Sequence, residues 1–355
     1  MYQAAHDYLF IIYLGIVCQM GYNLIVSVLR AMGDSFTPFL FLVFGTILNI
    51  ILDVIFIIPL NWGVSGSAWA TNISMLLATV GCFIYAFYKY PALRFKKEDF
   101  KISRSFIYEH LRMGFPLGFQ YSILQIGIII MQMAVISFDY DPNGILVAGA
   151  SAQVGYSIAN KVGLILMNVY ISIGTAMLTF MGQNNGAKDY ERIKKGFRIG
   201  ILIGTICWAV MTVVGLLITI NGAYLHIFLK SENINADVIK YGNYYLYLAL
   251  PCHFILMLLF IARNSLQGLQ RPLFPFLAGV GELIARSFIC LYLPQLINGG
   301  PINSLASGNS YFAVCSADVL AWLVATVILM IPLIRAIFFN KNDPAYQLKK
   351  AQKSE

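Results

Sequence analysis

Glu282 and Arg286 stand four residues apart in the almost wholly apolar run from Leu273 to Leu293. That spacing puts an acid and a base on one face of a helix, the acid N-terminal to the base, where the two can pair. Asn49 and Asp53 share a face in the same way within a second apolar run. Lys161 lies near Asn160 and Asn168 in a third run, Asp318 lies in a fourth, and Gln120 follows Gly114-Phe115-Pro116 in a fifth. Ionisable side chains in hydrocarbon are costly and face a bundle interior or a water-filled cavity. Gln120, Lys161, Glu282, Arg286, Asn49 and Asp53 are therefore the candidates for contact with a substrate or a coupling ion, with Asp318 a secondary one. Each has a plainer alternative: an ion pair that fixes helix packing, a wet carboxylate at the membrane boundary for Asp53, a hydrogen-bonded lysine for Lys161.

Covalent chemistry has no comparable support. The chain shows no HExxH, no paired-carboxylate constellation and no Ser/His/Asp arrangement, so no catalytic residues are assigned and an enzyme is not expected. The six cysteines sit in or beside apolar runs without CxxC spacing or neighbouring histidines, and read as buried thiols rather than disulfides or a metal site. No cofactor is implied.

The elements that must hold these residues are membrane helices. Of the 355 residues 59% are hydrophobic and only 11% charged, and mean hydropathy is +0.73, which leaves too few charges to cover a soluble exterior. The net charge of +8 sits in short basic clusters between apolar runs, a pattern of membrane topology rather than of nucleic-acid binding. Runs long enough to cross about 30 Å of hydrocarbon place nine spans near 8–30, 36–60, 64–90, 110–137, 147–181, 196–221, 241–263, 271–294 and 311–338. Alternate loops collect nearly all the Lys and Arg, from Arg30 through Lys96, Lys97, Lys195, Arg263 and Arg271 to Lys341, Lys349, Lys350 and Lys353, leaving Lys230 and Lys240 opposite. By the positive-inside rule the C-terminus is expected to be cytoplasmic and the N-terminus of this chain external.

An internal repeat organises the spans. Leu29 to Phe39 and Ser265 to Phe276 each place a turn with glycine (Gly33, Gly268) and then proline ahead of an aromatic-rich span. Spans one to three and seven to nine thus correspond, and spans four to six have no partners, as in parallel-repeat transporters. Pro116 is either a gating bend or a helix start. Gln183, Asn184 and Gly186, within Gly182 to Ala187, read as a tight cytoplasmic turn.

Taken together, Leu29-Arg30-Ala31-Met32-Gly33-Asp34, Asn49 with Asp53, Trp62 to Thr71, Gly114-Phe115-Pro116, Gly182 to Ala187, and Glu282 with Arg286 resemble the multidrug and toxic compound extrusion (MATE) family of bacterial transporters, in the family's order and over nearly the whole chain. The resemblance implies an all-α polytopic membrane protein, a two-lobe helical bundle with nine of twelve expected spans. It implies a partial N-terminal lobe over 1–92, a basic cytoplasmic linker over 93–109, a C-terminal lobe over 110–338 and a polar cytoplasmic tail over 339–355. The function it implies is export of organic cationic or amphipathic compounds from the bacterial plasma membrane, driven by Na⁺ or H⁺ influx, by a protein expected to be monomeric. Its expected partners are membrane lipids and small organic substrates, not nucleic acid. The present spans look like the fourth to twelfth family helices, so the first, which carries a coupling acid in many members, is expected to be missing and the chain alone to transport poorly. Where some members have an acid in the seventh helix, Gln120 stands here, so cation binding is not carried over to it. The alternatives are a flippase-like carrier of lipid-linked or cell-wall precursors, or a non-transporting fragment.

Overall fold

In a computed structural model, which describes residues 2–340 except 102 and 148, ten α-helices form two compact units, Met1–Ser103 and Arg104–Glu355. The first unit holds α1 (Tyr2–Leu14), α2 (Ile16–Ala31), α3 (Phe36–Ile57) and α4 (Gly63–Lys89). The second holds α5 (Arg104–Ile136), α6 (Ser151–Gly186), α7 (Tyr190–Thr219), α8 (Ala236–Gly268), α9 (Leu273–Asn298) and α10 (Gly308–Phe338). Eight helices are long and apolar enough to cross a membrane, and the pair α1–α2 makes a ninth crossing if counted as one span. The basic residues expected in the tail, Lys341, Lys349, Lys350 and Lys353, lie outside the described residues.

The first expected span, 8–30, is not one straight helix. It bends by 41° at Gly15. The Asn72 side chain from α4 occupies the space where a Cβ of residue 15 would stand and donates its amide to the Ile11 carbonyl. A polar side chain inserted into the helical ladder is a known cause of a kink, and here only glycine leaves room for it.

The two turns singled out by the repeat share one form, at a register other than the one expected. After α2 the Asp34 N–H bonds the Leu29 carbonyl and the Gly33 N–H bonds that of Arg30; after α8 Arg271 bonds Leu266 and Gln270 bonds Gln267. These are the paired bonds of one helix-ending turn whose penultimate residue is left-handed, and the φ of Gly33 is +89° and of Gln270 +59°. Gly33 thus matches Gln270 rather than Gly268, Pro38 matches Pro275, and Arg286 falls opposite Asn49. Gly268 serves close packing instead, since a Cβ there would meet the Leu178 carbonyl of α6 at 2.5 Å.

Two further expectations change. The turn placed over Gly182 to Ala187 is the last turn of α6; Asn184 is buried and donates to the Phe180 carbonyl. The chain reverses one step later, at left-handed Lys188, with the same pair of bonds (Asp189 to Asn184, Lys188 to Asn185) and with Asp189 capping α7 through the Arg192 N–H. Pro116 does not start a helix: α5 begins at Arg104, inside the segment expected as linker, and runs on through the proline. The missing N–H there leaves the Arg112 carbonyl without its helical donor.

In the second unit α8 is the central helix, packed by α6, α7 and α10. Gly155 of α6 and Gly242 of α8 face each other so closely that a Cβ on Gly155 would stand 2.6 Å from the Val238 carbonyl, the small-residue seam by which membrane helices gain dispersion contact. In the first unit the most apolar stretch of α3 has no buried residue, as a lipid-facing helix requires.

Asp34 fastens the first turn. Its Oδ1 accepts the Thr37 N–H at 3.0 Å, and its Oδ2 accepts Thr37 Oγ1 at 2.9 Å, Lys89 Nζ at 2.8 Å and Tyr90 Oη at 3.2 Å. Burial works to raise its pKa, but the Lys89 ammonium and the Thr37 and Tyr90 donors outweigh it and hold the carboxyl at about 2. Asp34→Ala is expected to lower thermal stability in detergent by about 1–2 kcal/mol, with Asp34→Asn in between. Because the folded carboxyl is the more acidic, its contribution is complete above the unfolded value of 3.8 and is lost as pH falls through about 2. The gap between wild type and the Ala variant should therefore close over that acid range; a gap that persists at the acid end would remove the ion pair as its cause.

Candidate functional site

Four charges meet inside the second unit, on three helices. Glu282 and Arg286 lie one turn apart on α9, and the Arg286 Nη2 to Glu282 Oε1 distance is 3.0 Å. The other carboxylate oxygen of Glu282 takes Arg263 Nη2 of α8 at 3.0 Å. Arg286 turns its Nε to Asp318 Oδ1 of α10 at 2.9 Å, and the second oxygen of Asp318 accepts the Tyr245 hydroxyl of α8 at 3.2 Å. All four charged side chains are buried. Signs alternate along the row, the set is neutral overall, and every carboxylate oxygen has a donor, the conditions under which buried charge is tolerable. Arg263 and Tyr245 stand at opposite ends of the row on one helix, their backbones about 27 Å apart at 1.5 Å per residue.

Close packing of α5 on α9 shapes the site. Gly127 lies over Arg286, where a Cβ would stand 2.8 Å from Nη1, so glycine is what admits the guanidinium. Two turns earlier Gln120 packs its Cγ into the gap left by Gly279. Gln120 is wholly buried, and neither atom of its amide has a hydrogen-bond partner among the described residues. Separately, Arg112, Pro116 and Leu117 of α5 and Arg271 to Phe274 at the start of α9 line a cavity of about 1220 Å³.

Of the residues singled out in the sequence, Glu282, Arg286 and Asp318 are brought together, with Gln120 beside them. Asp318 is a full member of the row rather than a secondary candidate. Lys161 is not part of it: the side chain is exposed, its ammonium 5.8 Å from the centre of the Phe228 ring. Asn49 and Asp53 belong to the first unit. Asn49 Nδ2 lies 3.4 Å from Thr71 Oγ1 beside a cavity of about 150 Å³, and the buried Oδ1 of Asp53 has no partner. Sequence reasoning missed Arg263, which the count of basic residues had assigned to a loop, together with Tyr245 and Gly127. Its place at the very end of an expected span was the available signal.

A bundle of apolar spans that keeps its charges inside and neutralises them there is a multi-pass membrane protein. The MatE family model matches residues 116–291. That stretch is just under half of the chain, which is thus similar to the family, whose members are transporters. It is 30% identical to the probable multidrug resistance protein YpnP of Bacillus subtilis over 197 residues, 54% of this chain and 41% of that protein. It is 26% identical to the probable multidrug resistance protein NorM of Thermotoga maritima over 217 residues, 57% of this chain and 42% of that protein. The matches thus span less than half the length of these relatives. Among solved structures, an outward-facing multidrug resistance MATE transporter of the MOP superfamily superposes with a TM-score of 0.77 at 19% identity, covering 95% of this chain and 70% of that one, a likeness of fold.

Arg286→Met leaves Asp318 without its cation and should cost about 3–5 kcal/mol in thermal unfolding. The double variant Arg286→Met/Asp318→Asn retains the balanced Arg263–Glu282 pair and should recover much of that loss. Simple additivity of the two single effects would show that these charges are not coupled. Gly127→Ala should destabilise by about 1–3 kcal/mol through displacement of the guanidinium.

Proposed function

We propose that the protein exports organic cationic or amphipathic compounds by alternating access, driven by inward movement of Na⁺ or H⁺, as a monomer in the bacterial plasma membrane with its C-terminus cytoplasmic. The two lobes of the sequence reading (1–92 and 110–338, joined by 93–109) serve as the two bundles, and 339–355 is a cytoplasmic tail. Similarity to the MatE family supports transport, and the multidrug relatives support the cargo class. The observation that carries the coupling step is the contrast between carboxylates. Glu282 and Asp318 each hold a guanidinium, so a cation entering there must displace an arginine. Asp53 makes no ion pair among the described residues, keeps a buried Oδ1 unpartnered and lies one turn from Asn49. Asp53 is the residue at which a proton or Na⁺ binds, with Asn49 and Thr71 as the neighbouring oxygen-bearing groups. Glu282, Arg286 and Gln120 carry the response in the second lobe, and the turns at Gly33, Lys188 and Gln270 fix the helix ends that must survive the motion.

The test is flux. Protein purified from its native membrane and reconstituted into proteoliposomes should move a fluorescent organic cation against an imposed Na⁺ or H⁺ gradient. Asp53→Asn should slow the gradient-driven part by about tenfold or more, the equivalent of ~1.4 kcal/mol in cation binding. Absence of gradient-dependent flux from well-folded protein removes the antiporter reading.

A further inference from the structure

We propose that Arg286 is a built-in cation: its guanidinium fills, in the second unit, the position that the first unit leaves to an exchangeable cation, so that one free cation moves in each transport cycle. The correspondence between the two units stands on geometry alone. The count of one rests on the reading of Asp53 as the residue that binds the ion.

Both units present the same arrangement of three places. α3 and α9 each follow a helix-ending turn of one form, and they begin at Phe36 and Leu273. Counted from those starts, Asn49 and Arg286 hold the same place, and Asp53 and Cys290 hold the same place one turn further on. In each unit the third member comes from the next helix. Asn49 Nδ2 reaches Thr71 Oγ1 of α4 at 3.4 Å, and Arg286 Nε reaches Asp318 Oδ1 of α10 at 2.9 Å. The two helix pairs run in closely similar register: Gly45 of α3 lies against Ser74 and Ala78 of α4, and Gly281 of α9 lies against Val324 and Ile328 of α10.

The units differ in where the positive charge comes from. In the first, the initial place holds a short amide, the second holds a carboxylate whose buried Oδ1 has no partner among the described residues, and Asn49 and Thr71 border a cavity of about 150 Å³. That is the volume of several water molecules, room enough for a small cation. In the second unit an arginine takes the initial place, an uncharged buried thiol the second and a carboxylate the third. There the packing is closed, since a Cβ on Gly127 would stand 2.8 Å from Arg286 Nη1. Glu282, whose place in the first unit is held by Gly45, is matched by Arg263 of α8 and leaves this balance unchanged. The three places therefore carry one negative charge in the first unit and none in the second. Buried charge among membrane helices calls for a counter-charge. Asp53 must take one from solution, whereas Asp318 has a guanidinium that stays protonated and cannot diffuse away.

The experiment has three arms, all on the full chain. In proteoliposomes the dependence of cargo flux on the coupling ion should show a Hill coefficient of about 1 for wild type and about 2 for Arg286→Ala, whose second site must then be filled from solution. An arginine with a structural role only would lower the rate of the variant and leave its coefficient unchanged. In dodecyl maltoside, methylguanidinium chloride should raise the melting temperature of Arg286→Ala saturably and restore most of the loss. N-methylglucamine chloride at the same ionic strength, too bulky for the space, should not. Neither salt should move wild type, and methylguanidinium should not move Arg286→Ala/Asp318→Asn. In the converse arm, Asn49→Arg places a tethered guanidinium at the first-unit cavity. It should stay folded by thermal unfolding and lose gradient-driven flux by about tenfold or more; this arm decides if Arg286→Ala does not fold. A coefficient near 2 in wild type, equal effects of the two salts on Arg286→Ala, or undiminished gradient-driven flux in folded Asn49→Arg would each overturn the proposal. The outcomes separate from those of the earlier flux test. Rescue by methylguanidinium without gradient-driven flux in wild type keeps Arg286 as the occupant of a cation site and removes the Asp53 reading; flux that Asp53→Asn slows, with no difference between the salts, does the reverse.

Discussion

The guanidinium of Arg286 touches carboxylates on two helices at once, and much of the second unit follows from having to keep it there. One nitrogen reaches back a turn to Glu282 on its own helix while another reaches Asp318 on α10. A cation in that position needs two acids at fixed separation, so the rotation of α9 against α10 is set. Glu282 then has a free oxygen, and an unpaired lone pair at that depth is costly, so Arg263 is drawn in from α8. Asp318 likewise has a second oxygen, and Tyr245 fills it from the other end of α8. One helix is thus held at two points about 27 Å apart by a single row of alternating charge. Apolar contact between membrane helices has little hydrophobic drive, because lipid is as apolar as leucine. Register among α8, α9 and α10 is therefore better specified by this row than by their aliphatic seams.

Glycine and proline supply the complementary constraint. Gly127 removes the one methylene that would push the guanidinium off its acids, and Gly155 and Gly242 bring α6 onto α8. Turns that end helices recur after α2, α6 and α8 with the same pair of backbone bonds. Glycine occupies the left-handed position only once; Lys188 and Gln270 take the other two. The strain of a left-handed residue with a Cβ is modest beside the orphan carbonyls such a turn satisfies.

That substitution explains how far the sequence could be read. Span count, helical class and the pairing of Glu282 with Arg286 are local: they follow from run length and from four-residue spacing, and they hold. The match of Gly33 to Gly268 rests on residue type, whereas the turn is defined by hydrogen bonds that Gln270 makes as well, so the register came out two residues off. The break at Gly15 depends on Asn72, distant in sequence, and no periodicity within the first span reports it. Arg263 was hidden by its position at the end of a span, where a basic residue ordinarily marks the loop. Lys161 misled in the opposite sense. Neighbouring amides suggested a polar cavity, but a lysine stem can carry its charge outward along apolar surface, and here the ammonium rests over Phe228 at an exposed site.

The two units differ in how they treat acid. In the second, both carboxylates of the row are neutralised by guanidinium groups that cannot diffuse away, and a tethered counter-ion acts at an effective concentration in the millimolar range or above. A free cation competing for Glu282 or Asp318 faces that advantage and the loss of helix register that follows from releasing Arg286. In the first unit Asp53 has no such tethered rival among the described residues, and its buried oxygen faces no donor among them. On the proposed antiport reading this difference divides the labour. The unit with the bare carboxylate can exchange a small cation without unlocking its packing. The unit with the closed row is held together across α8, α9 and α10, while Gln120, between α5 and α9, has both atoms of its amide unsatisfied among the described residues. An unbonded amide at a helix interface gains a partner when water or a polar group reaches it, so on that reading the α5–α9 interface is where the second unit admits one.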